Sequence, residues 1–111
     1  MHVEELARRS GIHVVLAARA PGAEVARVFA ANTISGLLAN ASADCLLVTA
    51  LANAQLARIA EIMDAPGICL VDGTSPDAQL LEAAQLAGSA LLVSPHDLDR
   101  TRLGLEECLR P

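Results

Sequence analysis

The chain has 111 residues, a length that suits one domain able to bury its own core. Hydrophobic residues make up 53% of it but Phe29 is the only aromatic residue, so aliphatic side chains and alanine must build that core. The net charge is −5, and the 8 basic side chains are all arginines. Binding to nucleic acid needs a positive field and stacking platforms, so we expect no nucleic-acid partner.

Neither the first residues nor the cysteines indicate secretion, a membrane anchor or a metal. Residues 1–5 are acidic where a signal peptide is basic, and no apolar run approaches the length of a membrane span. Cys45, Cys69 and Cys108 are odd in number and widely spaced, which fits neither a disulfide framework nor close metal ligands. We therefore expect a cytoplasmic protein with no membrane partner and no metal, in which Cys45 and Cys69 act as small buried hydrophobic residues.

The first pattern along the chain predicts a short helix followed by a strand. Val3 and Leu6 fall on one helical face, and Gly11 is typical of a helix C-terminus. Residues 5–12 resemble the opening helix and turn of a helix-turn-helix DNA reader. The residues that should form its recognition helix favour extended backbone, so we predict a strand at 12–16 and keep DNA binding as the disfavoured alternative.

A second extended segment is predicted at 25–31, after a turn at 20–22. The link between the two strands, residues 17–24, is too short for the crossover that parallel neighbours need. The two strands therefore either pair antiparallel or are not neighbours in the sheet. A short helix at 34–41 leads into the rest of the chain.

Three apolar runs then recur at nearly even spacing, beginning at Cys45, Ile68 and Ala90. Each run passes from branched apolar residues into a small polar residue, which is typical of a buried strand. The segments that follow them have helical periodicity and are predicted as helices at 54–63, 76–87 and 97–109. We predict an α/β fold, a three-layer αβα-type domain with a mostly parallel, mixed sheet of about five strands.

Polar residues follow each of these three strands. In open parallel sheets, ligands gather beyond the carboxyl ends of the strands, where helix N-termini also point. Three helix N-termini can hold an anion without lysine. The sequence therefore predicts a possible site for a nucleotide or another anion, whose candidate residues are Thr49, Asn53, Asp72, Thr74, Ser94 and His96.

Helix capping is the competing interpretation of the same residues. Residues 74–77 and 94–97 each combine a hydroxyl cap, a proline in the first turn and an acid near the positive end of the helix dipole. Asn53 is most simply the cap of the next helix. The three histidines are expected on the surface.

The sequence predicts no catalytic residue and no cofactor. An acid–base pair could be built only from Asp72 and His96, and the spacing places no nucleophile beside them. The turn with the single glycine Gly73 lacks the clustered glycines of a phosphate or dinucleotide cradle, and the chain lacks the lysine of a receiver domain. An enzyme that uses Asp72 and His96 remains as an alternative.

The order of segments along nearly the whole chain also carries a family resemblance. Its features are Gly11 after the first helix, the segment 34–41, the strand end at 47–49, the helix at 57–60, the strand and turn at 67–73, and the strand at 91–94. In this order the chain resembles the DRTGG domain, a regulatory module related to the N-terminal domain of HPr kinase. The resemblance implies one DRTGG-like domain over residues 1–111.

The namesake motif of that family falls near residues 22–28 and is largely replaced. Gly22 and Ala23 stand in place of Asp-Arg, and residues 26–28 stand in place of Thr-Gly-Gly, so no binding residue is carried over. The resemblance implies a dimerising companion to enzymes such as phosphotransacetylases and CBS-domain pyrophosphatases. We therefore expect a non-catalytic regulatory or interaction module, a homodimer with a possible partner enzyme; the alternative is a small-molecule sensor.

Overall fold

The computed structural model describes residues 1–19 and 23–110, so the turn predicted at 20–22 lies outside the described residues. The described part forms five helices and one five-stranded sheet. In chain order the elements are α1 (Val3–Ser10), β1 (His13–Leu16), β2 (Arg27–Ala30), α2 (Ile34–Asn40), β3 (Cys45–Thr49), α3 (Gln55–Ile62), β4 (Gly67–Leu70), α4 (Ala78–Ala87), β5 (Ala90–Val93) and α5 (Leu98–Leu109).

The strand order in the sheet is β1-β5-β4-β3-β2. Strands β2, β3, β4 and β5 are parallel, and β1 pairs antiparallel with β5. The three apolar runs are therefore adjacent inner strands, as predicted. The first two strands lie at opposite edges, which decides between the two alternatives for them. Four strand spacings of about 4.8 Å separate these edges, a span of about 19 Å that the chain between Leu16 and Arg27 can bridge.

Helices cover both faces of this sheet. On one face Leu47 and Ile68 pack with α2, α3 and α4, and on the other Leu46 and Cys69 pack with α1 and α5. Because successive side chains of a strand point to opposite faces, strands whose residues are all buried need both helix layers. The predicted three-layer αβα architecture is confirmed.

The helix ends confirm the glycine stops and correct the predicted starts. Gly11 and Gly88 end α1 and α4 in the left-handed conformation, with φ of 74° and 75°. However, α4 begins after Asp77 and α5 after Asp97, so the predicted hydroxyl caps and the proline in the first turn are wrong. A carboxylate oxygen of each aspartate accepts a hydrogen bond from the backbone N–H three residues on, which satisfies the first helical turn better than a hydroxyl further upstream.

His2 also differs from the expectation of a surface histidine. It is half-buried, and its Nδ1 accepts a hydrogen bond from the backbone N–H of Glu4 at 3.3 Å, so it is the N-cap of α1. His13 and His96 are exposed, as expected.

The strand cysteines are buried free thiols, as predicted. Burial raises the pKa of Cys69 to about 12, because a thiolate would lose its solvation inside the sheet. Burial also raises the pKa of Cys45. Among the described residues, no helix has both the length and the apolar character needed to cross a membrane.

Candidate functional site

The sequence-predicted site lies at the carboxyl ends of the parallel strands, and we call it the carboxyl rim. Thr49 ends β3, the turn with Asp72 follows β4, and Ser94 follows β5 directly. Because these three strands are adjacent in the sheet, the rim residues belong to neighbouring loops. The members of the carboxyl rim are Thr49, Asn53, Asp72, Thr74, Ser94 and His96.

Backbone hydrogen bonds close the rim between β4 and β5. The N–H of Asp72 donates to the carbonyl of His96 at 2.7 Å, and the N–H of Gly73 donates to the carbonyl of Ser94 at 2.9 Å. Asp72 and Gly73 both adopt positive φ angles, 57° and 65°, which the turn requires. The side chains of Asp72 and His96 are exposed above this closed turn.

The hydroxyl of Ser94 is used inside the protein. Ser94 is fully buried, and its Oγ lies 2.8 Å from Oγ1 of Thr101, a buried residue of α5. Ser94 Oγ also accepts a hydrogen bond from the backbone N–H of His96 at 3.2 Å. Each bond fixes the loop between β5 and α5. The sequence did not single out Thr101, although a threonine on the inner face of an amphipathic helix is a signal for such a buried partner.

Asn32 is a second residue that the sequence analysis missed. It lies in the loop after β2, and its Oδ1 accepts a hydrogen bond from the N–H of Ala50 at 2.9 Å. Its Oδ1 is also 3.5 Å from Oγ1 of Thr49, which is fully buried and accepts from the N–H of Leu51 at 3.1 Å. Asn32 therefore ties the carboxyl end of β2 to that of β3.

The three helix N-termini at this end differ in charge. Carboxylates cap α4 and α5, because Asp77 accepts from Leu80 N–H and Asp97 from Arg100 N–H, both at 2.8 Å. An anion there would be repelled by the cap. The predicted cap of α3 is wrong, because the N-cap is Ala54, which makes no side-chain cap bond, and Asn53 lies one residue earlier. The neutral side chain of Asn53 accepts from Gln55 N–H at 2.8 Å. The start of α3 is therefore the part of the rim that suits an anion best.

Three clefts among the described residues lie away from the rim. The cleft at the amino ends of the strands has a volume of about 290 Å³. Small residues that precede β3, β4 and β5 leave this space, and its polar side chains are Glu61, Asp64 and Ser89. None of the described residues forms a cluster of three or more side chains able to hold a metal ion. The role of the rim residues in binding stays a prediction.

A shallow groove of about 480 Å³ runs between β2 and the end of α5. One wall of the groove is formed by Ala26, Arg27 and Val28, the residues that stand in place of Thr-Gly-Gly in the degenerate motif. Arg27 forms a salt bridge with Asp44 at 3.3 Å, and the Ser42 hydroxyl donates to the same carboxylate at 2.7 Å. These contacts lower the pKa of Asp44, and the hydrogen bond from Ser42 has the largest effect.

No family model matches this chain, and no curated protein matches it. Among solved structures, the fold is similar to the crystal structure of the CBS and DRTGG domains of the regulatory region of Clostridium perfringens pyrophosphatase, complexed with the activator diadenosine tetraphosphate. The TM-score is 0.70 at 10% sequence identity, over 96% of this chain and 46% of that chain. This chain thus spans about half the length of that structure. A likeness at this identity shows the fold, and membership of the DRTGG family stays a prediction.

Proposed function

We propose that the chain is a non-catalytic regulatory and interaction module. In this proposal residues 1–111 act as one DRTGG-like domain, which forms a homodimer in the cytoplasm and modulates a partner enzyme. The observation that carries the proposal is the similarity of the fold to the regulatory region of an enzyme, the Clostridium perfringens pyrophosphatase.

The hydrogen bonds of the polar side chains support a non-catalytic role. The Ser94 hydroxyl is paired with Thr101, and the carboxylates of Asp77 and Asp97 are helix caps. The strand thiol of Cys69 has a raised pKa and is buried, so it is a poor nucleophile. These four groups thereby serve the fold.

The experiment for this proposal is reconstitution with an enzyme. The tagged chain is cross-linked in its native cells, the enzyme that cross-links to it is purified, and its rate is measured with and without the chain. We expect a rate change of at least about twofold that depends on the amount of chain added, a coupling of about 0.4 kcal/mol. An unrelated domain of similar size and charge is the control. An enzyme that binds without any change in rate contradicts the regulatory part.

The homodimer is tested separately by light scattering at micromolar concentrations. The composition supports a dimer, because a small chain that is 53% hydrophobic leaves apolar residues on its surface. A strict monomer contradicts the dimer and leaves the reconstitution experiment to decide the regulatory role.

A small-molecule sensor is the second candidate. The structural neighbour was solved with a dinucleoside polyphosphate, and the neutral N-terminus of α3 can accept an anion. In this candidate Asn53 lies next to the phosphates, and the exposed side chains of Asp72 and His96 line the rest of the site with the half-buried Thr74. The buried side chains of Thr49 and Ser94 lie beneath them.

A thermal-shift experiment separates the two candidates. The probes are diadenosine tetraphosphate, ATP, AMP and inorganic phosphate. A true ligand at a hundredfold excess over its Kd raises the Tm by on the order of 10 °C. The variant Asn53→Asp keeps an acceptor oxygen for Gln55 N–H but adds a negative charge, so it should abolish the shift, whereas Asp97→Asn should retain it. No shift with any probe contradicts the sensor.

A further inference from the structure

The two helix layers differ strongly in charge. On one face of the sheet, α1 carries four charged side chains among 8 residues and α5 carries five among 12. On the other face, α2 carries none among 7, α3 two among 8 and α4 one among 10. Depletion of charge is the composition of a buried interface core, and a charge-rich helix is typical of a solvated face.

The charge-poor layer also exposes the two most exposed large apolar side chains of the described residues. Ile62 of α3 is 70% exposed and Leu86 of α4 is 71% exposed. Both lie in the last turn of their helix, and these turns are side by side, because Ala60 and Ala87 line the same cleft at the amino ends of the strands. The buried residues of α3 and α4 lie on the sheet side, so Ile62 and Leu86 point away from it.

Two opposite charges occupy the same outer surface one turn earlier. Arg58 on α3 and Glu82 on α4 are exposed, and neither forms an ion pair with a described residue. Arg58 precedes Ile62 by four residues, and Glu82 precedes Leu86 by four. Each helix therefore presents one charge and one apolar side chain on one face, at the same separation along the helix.

We propose that this surface, the α3/α4 face of Arg58, Ile62, Glu82 and Leu86, is where a second copy of the chain docks. A two-fold axis parallel to the two helices places α3 over α4 of the partner. Arg58 then meets Glu82 of the partner subunit, and Ile62 packs near Leu86 of the partner subunit. The proposal rests on the homodimer of the proposed function and adds its geometry.

A second copy is the occupant because the surface is complementary to itself. Both α3 and α4 follow parallel strands, so the two helices run in the same direction. A two-fold rotation about an axis parallel to them therefore places each residue of α3 opposite the residue of the partner subunit's α4 that lies at the same level along the axis. Arg58, the single basic side chain of α2, α3 and α4, then faces Glu82, the single acidic side chain of α4. A closed two-fold contact satisfies both copies of each pair at once.

The opposite face fits a second copy less well. Its exposed apolar residue is Leu103 on α5, which is 56% exposed. Beside it Arg102 already forms a salt bridge with Glu106 on the same helix at 2.6 Å. On α1, Arg9 and Glu5 form a similar pair at 3.1 Å. Charges that are paired within their own helix have less to gain from a partner.

The test is charge reversal followed by mixing, with the dimer Kd measured by sedimentation equilibrium. In Arg58→Glu both contact positions are acidic, and in Glu82→Arg both are basic, so each variant alone should raise the Kd at least about tenfold. In the equimolar mixture every contact is again between opposite charges. We expect the mixture to form a heterodimer with a Kd close to that of the wild type.

Two further variants keep the outcome decisive. The double variant Ile62→Ser, Leu86→Ser should also weaken the dimer, whereas Leu103→Glu on the opposite face should leave it unchanged. All five substituted residues are exposed in the monomer, and circular dichroism checks that the variants fold. A wild-type monomer, mixing that does not restore the dimer, or disruption by Leu103→Glu overturns the proposed geometry. A dimer that survives the α3/α4 variants overturns this face alone and leaves the regulatory proposal standing.

Discussion

The two ends of the sheet are built in different ways. At the carboxyl end, buried hydroxyls and backbone groups hold the loops, as in the contact of Ser94 with Thr101 and the closed turn at Asp72. At the amino end, small residues such as Gly67 and Ala90 bring backbones close together and leave clefts between them. Polar residues at strand ends are therefore not by themselves evidence of a ligand, since turns need the same groups.

The close packing of the amino end predicts the largest effect. In Gly67→Ala the new Cβ would lie 3.0 Å from both the Cβ and the carbonyl oxygen of Ala90, so the first residues of β4 and β5 must move apart. We expect a loss of about 2–3 kcal/mol in the free energy of unfolding, measured by urea denaturation.

Gly104→Ala is the matched control for this change. Gly104 lies inside α5, and its new Cβ would have no heavy atom within 4 Å. Alanine there should raise the free energy of unfolding by up to about 1 kcal/mol, because it favours the helix. Equal effects of the two substitutions would contradict the contrast between the crowded strand start and the open helix surface.

The hydrogen-bonded carboxyl end is tested by Thr101→Val, which keeps the shape of the side chain. The loss of its hydroxyl removes a partner of the buried Ser94 hydroxyl, and we expect a cost of about 1–2 kcal/mol in the free energy of unfolding. Adding Ser94→Ala should cost less than the sum of the single changes. Strict additivity of the two would show that the hydroxyls are not coupled.

The buried thiol of Cys69, at the centre of the sheet, should make the folded protein less stable at alkaline pH. The pKa of Cys69 rises from 9.0 to about 12 on burial, so the folded state holds its proton more tightly than the unfolded state. The contribution of Cys69 to the free energy of unfolding is therefore complete below pH 9 and is lost as the pH rises toward 12, by up to about 1.4 kcal/mol per pH unit. The chain has no lysine or tyrosine to obscure this titration. Cys69→Ala should flatten the decline, and an unchanged pH dependence would assign it elsewhere.

The smallest effect is expected at the exposed pair of Asp44 and Arg27. The pKa of Asp44 is lowered, so its stabilising contribution is present above the ordinary aspartate pKa and is lost as pH falls through the folded value. Asp44→Asn should lower the Tm slightly at pH 7, and the difference from the wild type should vanish in acid, once the carboxyl group of the folded protein is protonated. A difference that persists in acid would mean that the effect does not come from the charge.

Much of the fold could be predicted from the sequence because its signals are local. The runs beginning at Cys45, Ile68 and Ala90 are apolar at every position, and Gly11 and Gly88 fall where helices must stop. The order of the strands could not be predicted in full, since the length of the link alone left two arrangements for the first two strands. Tertiary pairing of β1 with β5 decides between them.

The candidate site was harder to predict because capping and binding use the same residue types. Asp77 and Asp97 were expected beside the helix dipole, but which residue of each polar run becomes the cap depends on backbone angles that the sequence does not display. Asn32 was missed because its partners lie 17 and 18 residues further along the chain. The sequence also shows no pattern that marks the outer surface of α3 and α4 until the helices are placed side by side.

The pairing of β1 with β5, and of α1 with α5, also has a consequence for synthesis. In the described sheet β1 neighbours only β5, which follows the other strands along the chain, so the sheet cannot be completed before β5 has been made. Contacts between such distant parts of a chain are slow to form. We therefore expect a truncation that removes β5 and α5 to leave an incompletely folded product that aggregates, rather than a smaller stable domain.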